Sequence, residues 1–414
     1  PYFIKAEDQQ RGADAYHGVG GPLGISDVHR DELCDAYIAA AEQAGIPRNA
    51  DFNGACQEGA GYFQLTVRRG LRASSAASYL RPARRRPNLR VVTEALATRI
   101  RFDGRRAVGV DYRRGGKSCS ANARGEVVVC GGAINSPQLL QLSGVGPAAE
   151  LRALGIEVVA DMPGVGANLQ DHYQARNVYE CTRPLTVNDE VRSPWLKLRA
   201  ALRYALTRSG PLAIGAGHVG VFARTRPELE TPDVQFHFIR FSADRAGARL
   251  HDFSGFTASV CQLRPESRGR IIVRSARPED RPSIQPGYLA SELDRETMVA
   301  GMRLARTIID QPAIRDYIRR EVLPGPEIRT DEEMLDYIRA YGTTIFHPAG
   351  TCKMGRDAGA VVDERLRLRG FSAVRVADAS IMPTVVSGNT NAACIMIGEK
   401  AADMICEDFR RAAG

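Results

Sequence analysis

Hydrophobic and polar positions along the chain follow two rhythms. Period-two alternation from Leu89 to Ile100, the turn pair Asp103-Gly104 and the run Ala107 to Tyr112 predict a β-hairpin. Glu126-Val127-Val128-Val129-Cys130 is a short apolar run suited to a strand buried on both faces, and Gly131-Gly132 follows at once. Ile134, Leu139, Leu140 and Leu142 then fall near helical spacing, with Ser136-Pro137 suited to a first turn and Ser143-Gly144 to the end. In the order strand, glycine turn, helix, a ligand can approach bare backbone while free N–H groups at the helix start attract negative charge. The same glycines would also serve close helix–strand packing, and the local pattern leaves both readings open.

Farther along, Asp233 to Ile239 and Gly269 to Arg274 read as strands and Trp195 to Thr207 as a helix, so the stretch from Tyr173 to Gln285 predicts a second, sheet-bearing unit. Amphipathic helices are predicted over Glu292 to Ile309 and Asp331 to Tyr341, with the turn residues Pro324, Gly325 and Pro326 between them. A buried strand, Val374-Arg375-Val376-Ala377, then runs into Asp378, and a last helix spans roughly Asn391 to Phe409. The whole reads as a mixed α/β (α+β) chain. Residues 1–172 form part of one domain, 173–340 mainly a second, and 341–414 return to the first.

Composition narrows the picture. A chain of 414 residues that is 44% hydrophobic can fill an ordinary globular core. No apolar run approaches the roughly 18 residues of a membrane span, and no charged-then-apolar signal opens the sequence. The default address is cytoplasmic, with peripheral membrane association as the alternative and the proviso that a signal could precede Pro1. Nine cysteines, an odd number without a C-x-x-C pair, fit reduced thiols better than disulfides or zinc, so no metal is expected. The formal charge of +8 is spread out, and the dense run Arg81-Pro82-Ala83-Arg84-Arg85-Arg86 reads as a solvated loop, which argues against a nucleic-acid partner.

Two glycine-rich stretches imitate a dinucleotide fingerprint. Gly144-Val145-Gly146-Pro147-Ala148-Ala149 fits G-x-G-x-x-A in spacing, but a helix precedes it where the fingerprint needs a strand, so its glycines are expected to link two helices. Gly18-Val19-Gly20-Gly21-Pro22 misplaces the third glycine, and Pro22 would break the helix that must follow.

The run Gly132-Ala133-Ile134-Asn135-Ser136-Pro137-Gln138-Leu139-Leu140-Gln141-Leu142-Ser143-Gly144-Val145-Gly146 resembles the second signature of the glucose-methanol-choline oxidoreductases, FAD enzymes that oxidise alcohols. Gly164-Val165-Gly166-Ala167-Asn168-Leu169-Gln170-Asp171-His172 is similar to that family's continuation. Phe346-His347-Pro348-Ala349-Gly350-Thr351-Cys352-Lys353-Met354-Gly355 resembles its catalytic loop. Val376 to Pro383 and Ser387 to Ala393 are similar to the stretch that holds the flavin ring, and weaker similarity, including Arg264 to Arg270, links these segments across almost the whole chain. The resemblance implies a Rossmann-like FAD-binding domain with a sheet-bearing substrate domain. Intact members open with a strand, a G-x-G-x-x-G turn and a helix within a βαβ unit of about 30 residues. Neither that unit nor the glycine-serine segment that passes over the flavin is found here, so weak or absent FAD binding by this chain alone is expected.

Residue by residue, the resemblance makes His347 the catalytic base and Asn389 its partner. Ala97 is placed near the adenine, and Asp378, Ala379, Thr390 and Asn391 near the rest of the cofactor. The chemistry suits these types. Alcohol oxidation needs a base beside the hydroxyl while hydride leaves the same carbon for the flavin, and a neutral imidazole, with its ordinary pKa of ~6.5, accepts that proton. An amide can donate to the developing alkoxide without titrating. For Asp378 a capping role competes with cofactor contact; His172 is expected to hydrogen-bond a loop, and His237 to be a satisfied strand histidine.

The expected donor is a primary alcohol oxidised to an aldehyde. Choline is disfavoured by the single tryptophan, Trp195, and by Phe346 where choline-acting members carry Tyr before the base. A quinone is preferred to oxygen as acceptor, and a homo-oligomer is compatible with the sequence. Two other readings remain: a cyanohydrin lyase on the same fold, and a non-catalytic remnant without FAD.

Overall fold

The computed structural model describes residues 1–208, 210, 217–245 and 247–413. After a short helix, Tyr2–Ala6, and the paired strands Glu7–Gln9 and Leu23–Asp27 come helix α1 (Glu32–Gln43) and strand β1 (Gly59–Tyr62), then an antiparallel ribbon of β2 (Ala95–Asp103), β3 (Arg106–Arg114) and β4 (Lys117–Asn122). Strand β5 (Val127–Val129) leads directly into α2 (Gly132–Leu142). The middle supplies β6 (Tyr173–Cys181), α3 (Pro194–Thr207), β7 (Val219–Ala223), β8 (Val234–Ile239) and β9 (Gly255–Gln262). Helix α4 (Glu292–Ile309), β10 (Ile318–Leu323), α5 (Asp331–Tyr341), β11 (Thr343–Thr344), β12 (Val374–Val376) and α6 (Asn391–Ala413) follow.

The larger sheet runs in the order β10-β6-β9-β8-β7-β1, antiparallel throughout, with β11 also on β6. Because side chains alternate across a strand, Val234, Phe236 and Phe238 of β8 and Phe256, Ala258 and Val260 of β9 share one face. There they form a core with Tyr37 of α1, Met298 and Met302 of α4, and Ile338 of α5. Tyr37 stacks on Phe238 with ring centroids 4.4 Å apart. The opposite face carries Gln235 and His237 of β8, Ser259 and Cys261 of β9, and Arg176 of β6. The helices are placed by their own ends. Asp31 caps α1 by accepting from Leu33 N at 3.1 Å, and Thr330 and Glu333 close a capping box at α5.

The second core surrounds the parallel pair β5–β12, registered Val127 to Val374 and Val129 to Val376. Both strands end on the same side, β5 at the Gly131-Gly132 turn and β12 at Asp378. Ile100, Leu140, Leu368 and Ile397 pack around them.

Several expected boundaries shift. The first strand of the hairpin begins at Ala95 rather than Leu89, and the strand expected over Gly269 to Arg274 is confined to Arg270–Ile272. Val145-Gly146 does not enter a fingerprint. It pairs with Ala160-Asp161 between α2 and the short helix Ala148–Ala153. Leu33, Tyr37, Ile38 and Ala60 are buried with the larger sheet, because β1 extends its edge and α1 covers its apolar face. Residues 209, 211–216 and 246 of the middle region lie outside the described residues. No helix among the described residues is long and apolar enough to cross a membrane.

Candidate active site

Two loops bring the expected catalytic residues together, and the segment Asn168 to His172 ties both. Gln170 exchanges backbone hydrogen bonds with Ala349 at 3.0 and 2.8 Å, beside His347. Its side chain donates to Pro383 O at 3.0 Å and accepts from Val385 N at 3.1 Å, holding the loop that leads to Asn389. Asp171 accepts from His347 N at 2.9 Å and from Tyr288 Oη at 2.6 Å, and also binds the Thr344 hydroxyl. Pairing of β11 with the start of β6 lays the His347 loop next to His172. A side chain that reads as one link in a motif is therefore a clamp on both halves of the site.

The hydrogen bonds determine which nitrogen of His347 is basic. Leu263 O can only accept, so the Nε2 of His172, 3.1 Å away, carries the hydrogen. Nδ1 of neutral His172 is then a lone pair, and the facing Nδ1 of His347, at 2.9 Å, must be the donor. That leaves Nε2 of His347 as an acceptor, 3.3 Å from Nδ2 of Asn389. On the far side, Gln235 Nε2 donates to Asn389 Oδ1 at 3.2 Å, turning the amide's NH₂ end toward the histidine. An alcohol hydroxyl at this point can give its proton to Nε2 while accepting from Nδ2.

Burial keeps the site neutral. His347 is buried, which lowers its pKa below the usual histidine value against the opposing pull of the Asp171 carboxylate. His172 is driven down to about 3 by desolvation and then by His347. Desolvation, with His347 adding to it, takes His237 down to about 4. Next to His347, Phe346 has a left-handed backbone (φ 64°) and is 73% exposed, a conformation that bulky residues rarely adopt outside constrained sites.

The expected cofactor residues divide. Asp378 accepts from Ser380 N at 2.8 Å, Gly132 N at 2.9 Å and Ser136 Oγ at 2.5 Å, so its side chain clasps the ends of β5 and β12 together. Ala379 and Thr390 are buried beside it, and Asn391 opens α6. Ala97 is exposed on β2 and shares no hydrogen bond with the other candidates among the described residues. The features that fit FAD are backbone ones. The first-turn amides of Asn391, Ala392 and Ala393 have no acceptor among the described residues. Gly132 holds φ +77° with open space where a Cβ would stand. Gly132 lies where two parallel strands end, the usual position for a phosphate-bearing ligand in such sheets.

Family models described as GMC oxidoreductase match residues 3–174 and 265–398. "Oxygen-dependent choline dehydrogenase" of Serratia proteamaculans is 44% identical over 98% of this chain and 74% of its own length. The protein of that name from Burkholderia vietnamiensis is 45% identical over 98% and 72%. This chain belongs to the GMC oxidoreductase family. Among solved structures, pyridoxine 4-oxidase from Mesorbium loti superposes with a TM-score of 0.85 at 30% identity, covering 97% of this chain and 75% of that one. Formate oxidase from Aspergillus oryzae RIB40, as the R554A variant, superposes at 0.92 and 26% identity, covering 99% and 78%. As a GMC oxidoreductase the chain is a flavoprotein enzyme that takes FAD and acts on CH–OH donors.

Sequence reasoning left out Gln170, Asp171 and Gln235 and gave His172 only a loop contact. It does bond the Leu263 carbonyl, and it also touches His347. For Gln235 a signal was present: in Val234-Gln235-Phe236-His237-Phe238 the apolar residues alternate with polar ones, yet the strand is buried on both sides.

Proposed function

We propose that this GMC oxidoreductase oxidises a primary alcohol to the aldehyde, with His347 as base and Asn389 as donor to the developing alkoxide. The observation that carries the reading is the chain of hydrogen bonds from Leu263 O through His172, His347 and Asn389 to Gln235, which leaves one basic lone pair on the buried His347, turned toward Asn389. The hydroxyl proton goes to His347 Nε2, and Asn389 steadies the oxygen as charge builds on it. Bound FAD supplies the acceptor for the hydride that leaves the carbinol carbon, so the alcohol loses two electrons and the flavin gains them. Ala379, Thr390 and the amides opening α6 are the groups proposed to hold the flavin end, and Ala97 the adenine end.

The names of the relatives favour a second reading, choline as donor and oxygen as acceptor. Against choline stands the position of Trp195, 70% exposed on α3 and so unavailable to cage an ammonium group. Arg176 also stands against it. This buried cation, without a carboxylate partner among the described residues, lies on the same sheet face as His237 and Ser259. An uncharged primary alcohol is therefore preferred, with a quinone as acceptor. The test is anaerobic flavin bleaching on adding benzyl alcohol, hexanol or choline to protein carrying FAD, then reoxidation by oxygen or a soluble quinone. Bleaching by choline alone would replace the preferred donor. Cyanide release from a cyanohydrin without bleaching would replace the reaction, and protein that never holds flavin would leave only a non-catalytic chain.

A further inference from the structure

Helix α3 buries none of its 14 residues, whereas α4 buries nine of its 18. Its sequence, Pro194-Trp195-Leu196-Lys197-Leu198-Arg199-Ala200-Ala201-Leu202-Arg203-Tyr204-Ala205-Leu206-Thr207, is apolar on two sides. Leu196, Ala200 and Tyr204, spaced by four, face the protein and are half-buried, and the Tyr204 hydroxyl donates to Gly70 O at 3.1 Å. The outer side presents a second stripe at helical spacing: Trp195 is 70% exposed, Leu198 50%, Leu202 54% and Leu206 82%. The eleven helical rises from Trp195 to Leu206 make this stripe about 16 Å long.

The helix itself carries charge of one sign. Lys197, Arg199 and Arg203 lie on the helix and Arg208 caps its end, with no acidic residue among its residues. Glu190, on the short preceding helix Val187–Arg192, lies 3.7 Å from Arg240 and also attracts Arg199 on the inner flank of α3. A second hairpin, Val67–Arg68 paired with Leu71–Arg72, puts Gly70 at its tip against Arg208 and continues the pattern, with Leu71 54% exposed between the exposed Arg69 and Arg72. A stripe one side chain wide falls short of the roughly 800 Å² that each partner of a stable protein pair covers. Cationic flanks, exposed leucines and a tryptophan at one end are what an interfacial helix presents to acidic headgroups.

We propose that α3 and the adjoining hairpin tip dock this chain on the surface of an anionic lipid bilayer, with Trp195, Leu198, Leu202 and Leu206 entering the headgroup region. Lys197, Arg199 and Arg208 then contact phosphates. The surface is independent of the reading of the active site.

Trp195 is the only tryptophan in the chain, so its emission reports on this stripe alone. The experiment mixes the full chain, carrying FAD, with extruded vesicles of phosphatidylglycerol or of phosphatidylcholine, and follows Trp195 emission and co-flotation. The expected result is a blue shift and flotation with phosphatidylglycerol only. Both should be lost in molar salt, where the Debye length shrinks to about 3 Å. The double variant Leu202→Glu/Leu206→Glu should cut partitioning by at least about tenfold, since two exposed apolar groups no longer enter the interface. Its melting temperature should stay unchanged, which separates lost docking from lost folding. Unshifted emission and no flotation on phosphatidylglycerol would overturn the proposal. So would a concentration-dependent rise in mass by light scattering that the double variant abolishes without any vesicle binding, because a second copy would then cover the stripe.

Discussion

The two faces of the larger sheet come from the same strands and serve different ends. On one, Val234, Phe236 and Phe238 alternate into a core closed by α1, α4 and α5. Each such side chain stabilises the fold by about 1.5–3 kcal/mol through leaving water. On the other, Gln235 and His237 lie against the catalytic loops. Polar groups buried there cost free energy that their hydrogen bonds offset only in part. One face is built for stability and the other for chemistry. Period-two alternation inside a fully buried strand therefore separates packing from reaction rather than inside from outside.

Substitutions on the two faces should fail in opposite ways. The largest effect is expected from His347→Ala, which removes the base: kcat/KM for the alcohol should fall by about 10²–10⁴-fold with the melting temperature nearly unchanged. A variant that keeps a tenth of wild-type turnover would assign the base elsewhere. Phe238→Ala on the apolar face should do the reverse, costing about 3–5 kcal/mol in denaturant unfolding while the remaining folded protein turns over normally.

Asp171→Asn sharpens the contrast through pH. Burial already sets the His347 pKa below ~6.5, and the carboxylate partly restores it. Removing that charge lowers the pKa further, so the acid limb of the kcat/KM profile should move to lower pH, with a loss of activity from the weakened Tyr288 and Thr344 contacts. A limb that moves upward would reverse the assigned sign.

The smallest effect concerns stability in acid. His172 and His237 titrate at about 3 and about 4 in the fold and near ~6.5 when unfolded. Between those values the unfolded chain binds more protons, so stability is fully present above ~6.5 and declines as pH falls toward about 4. His237→Gln should flatten that decline in urea titrations at pH 7 and pH 5, and an unchanged slope would show that the polar face does not carry it.

Much of the fold was legible because it is local. The Asp103-Gly104 hairpin, the helix after Gly131-Gly132, and α4 and α5 rest on turn chemistry, caps and periodicity that act within a few residues. The ends of strands were less so. The first strand of the hairpin starts at Ala95, since Leu89 to Glu94 find no partner strand, and alternation alone cannot supply one. Helix α3 shows the same limit from the other side. Its leucines resemble those of a core helix, and only the positions of its neighbours reveal that the outer stripe meets solvent.

The catalytic candidates His347 and Asn389 were legible by resemblance, while their supporting groups were not. Gln170, Asp171 and His172 close a family-like run, but nothing local in that run assigns them a partner. Their roles depend on partners far along the chain: His172 meets His347 across 175 positions, and Gln235 meets Asn389 across 154.

By itself the sequence determined the local elements, the motifs and the chemical types available: an imidazole, an amide, and glycines before a helix. The tertiary structure decided which imidazole nitrogen is free. A histidine's tautomer is set by the acceptor or donor opposite each ring nitrogen, and here Leu263 O, His172 and Asn389 arrive from three separate segments. It also decided which apolar stripe is buried, because burial depends on what packs opposite a helix, and periodicity reports only that such a stripe exists.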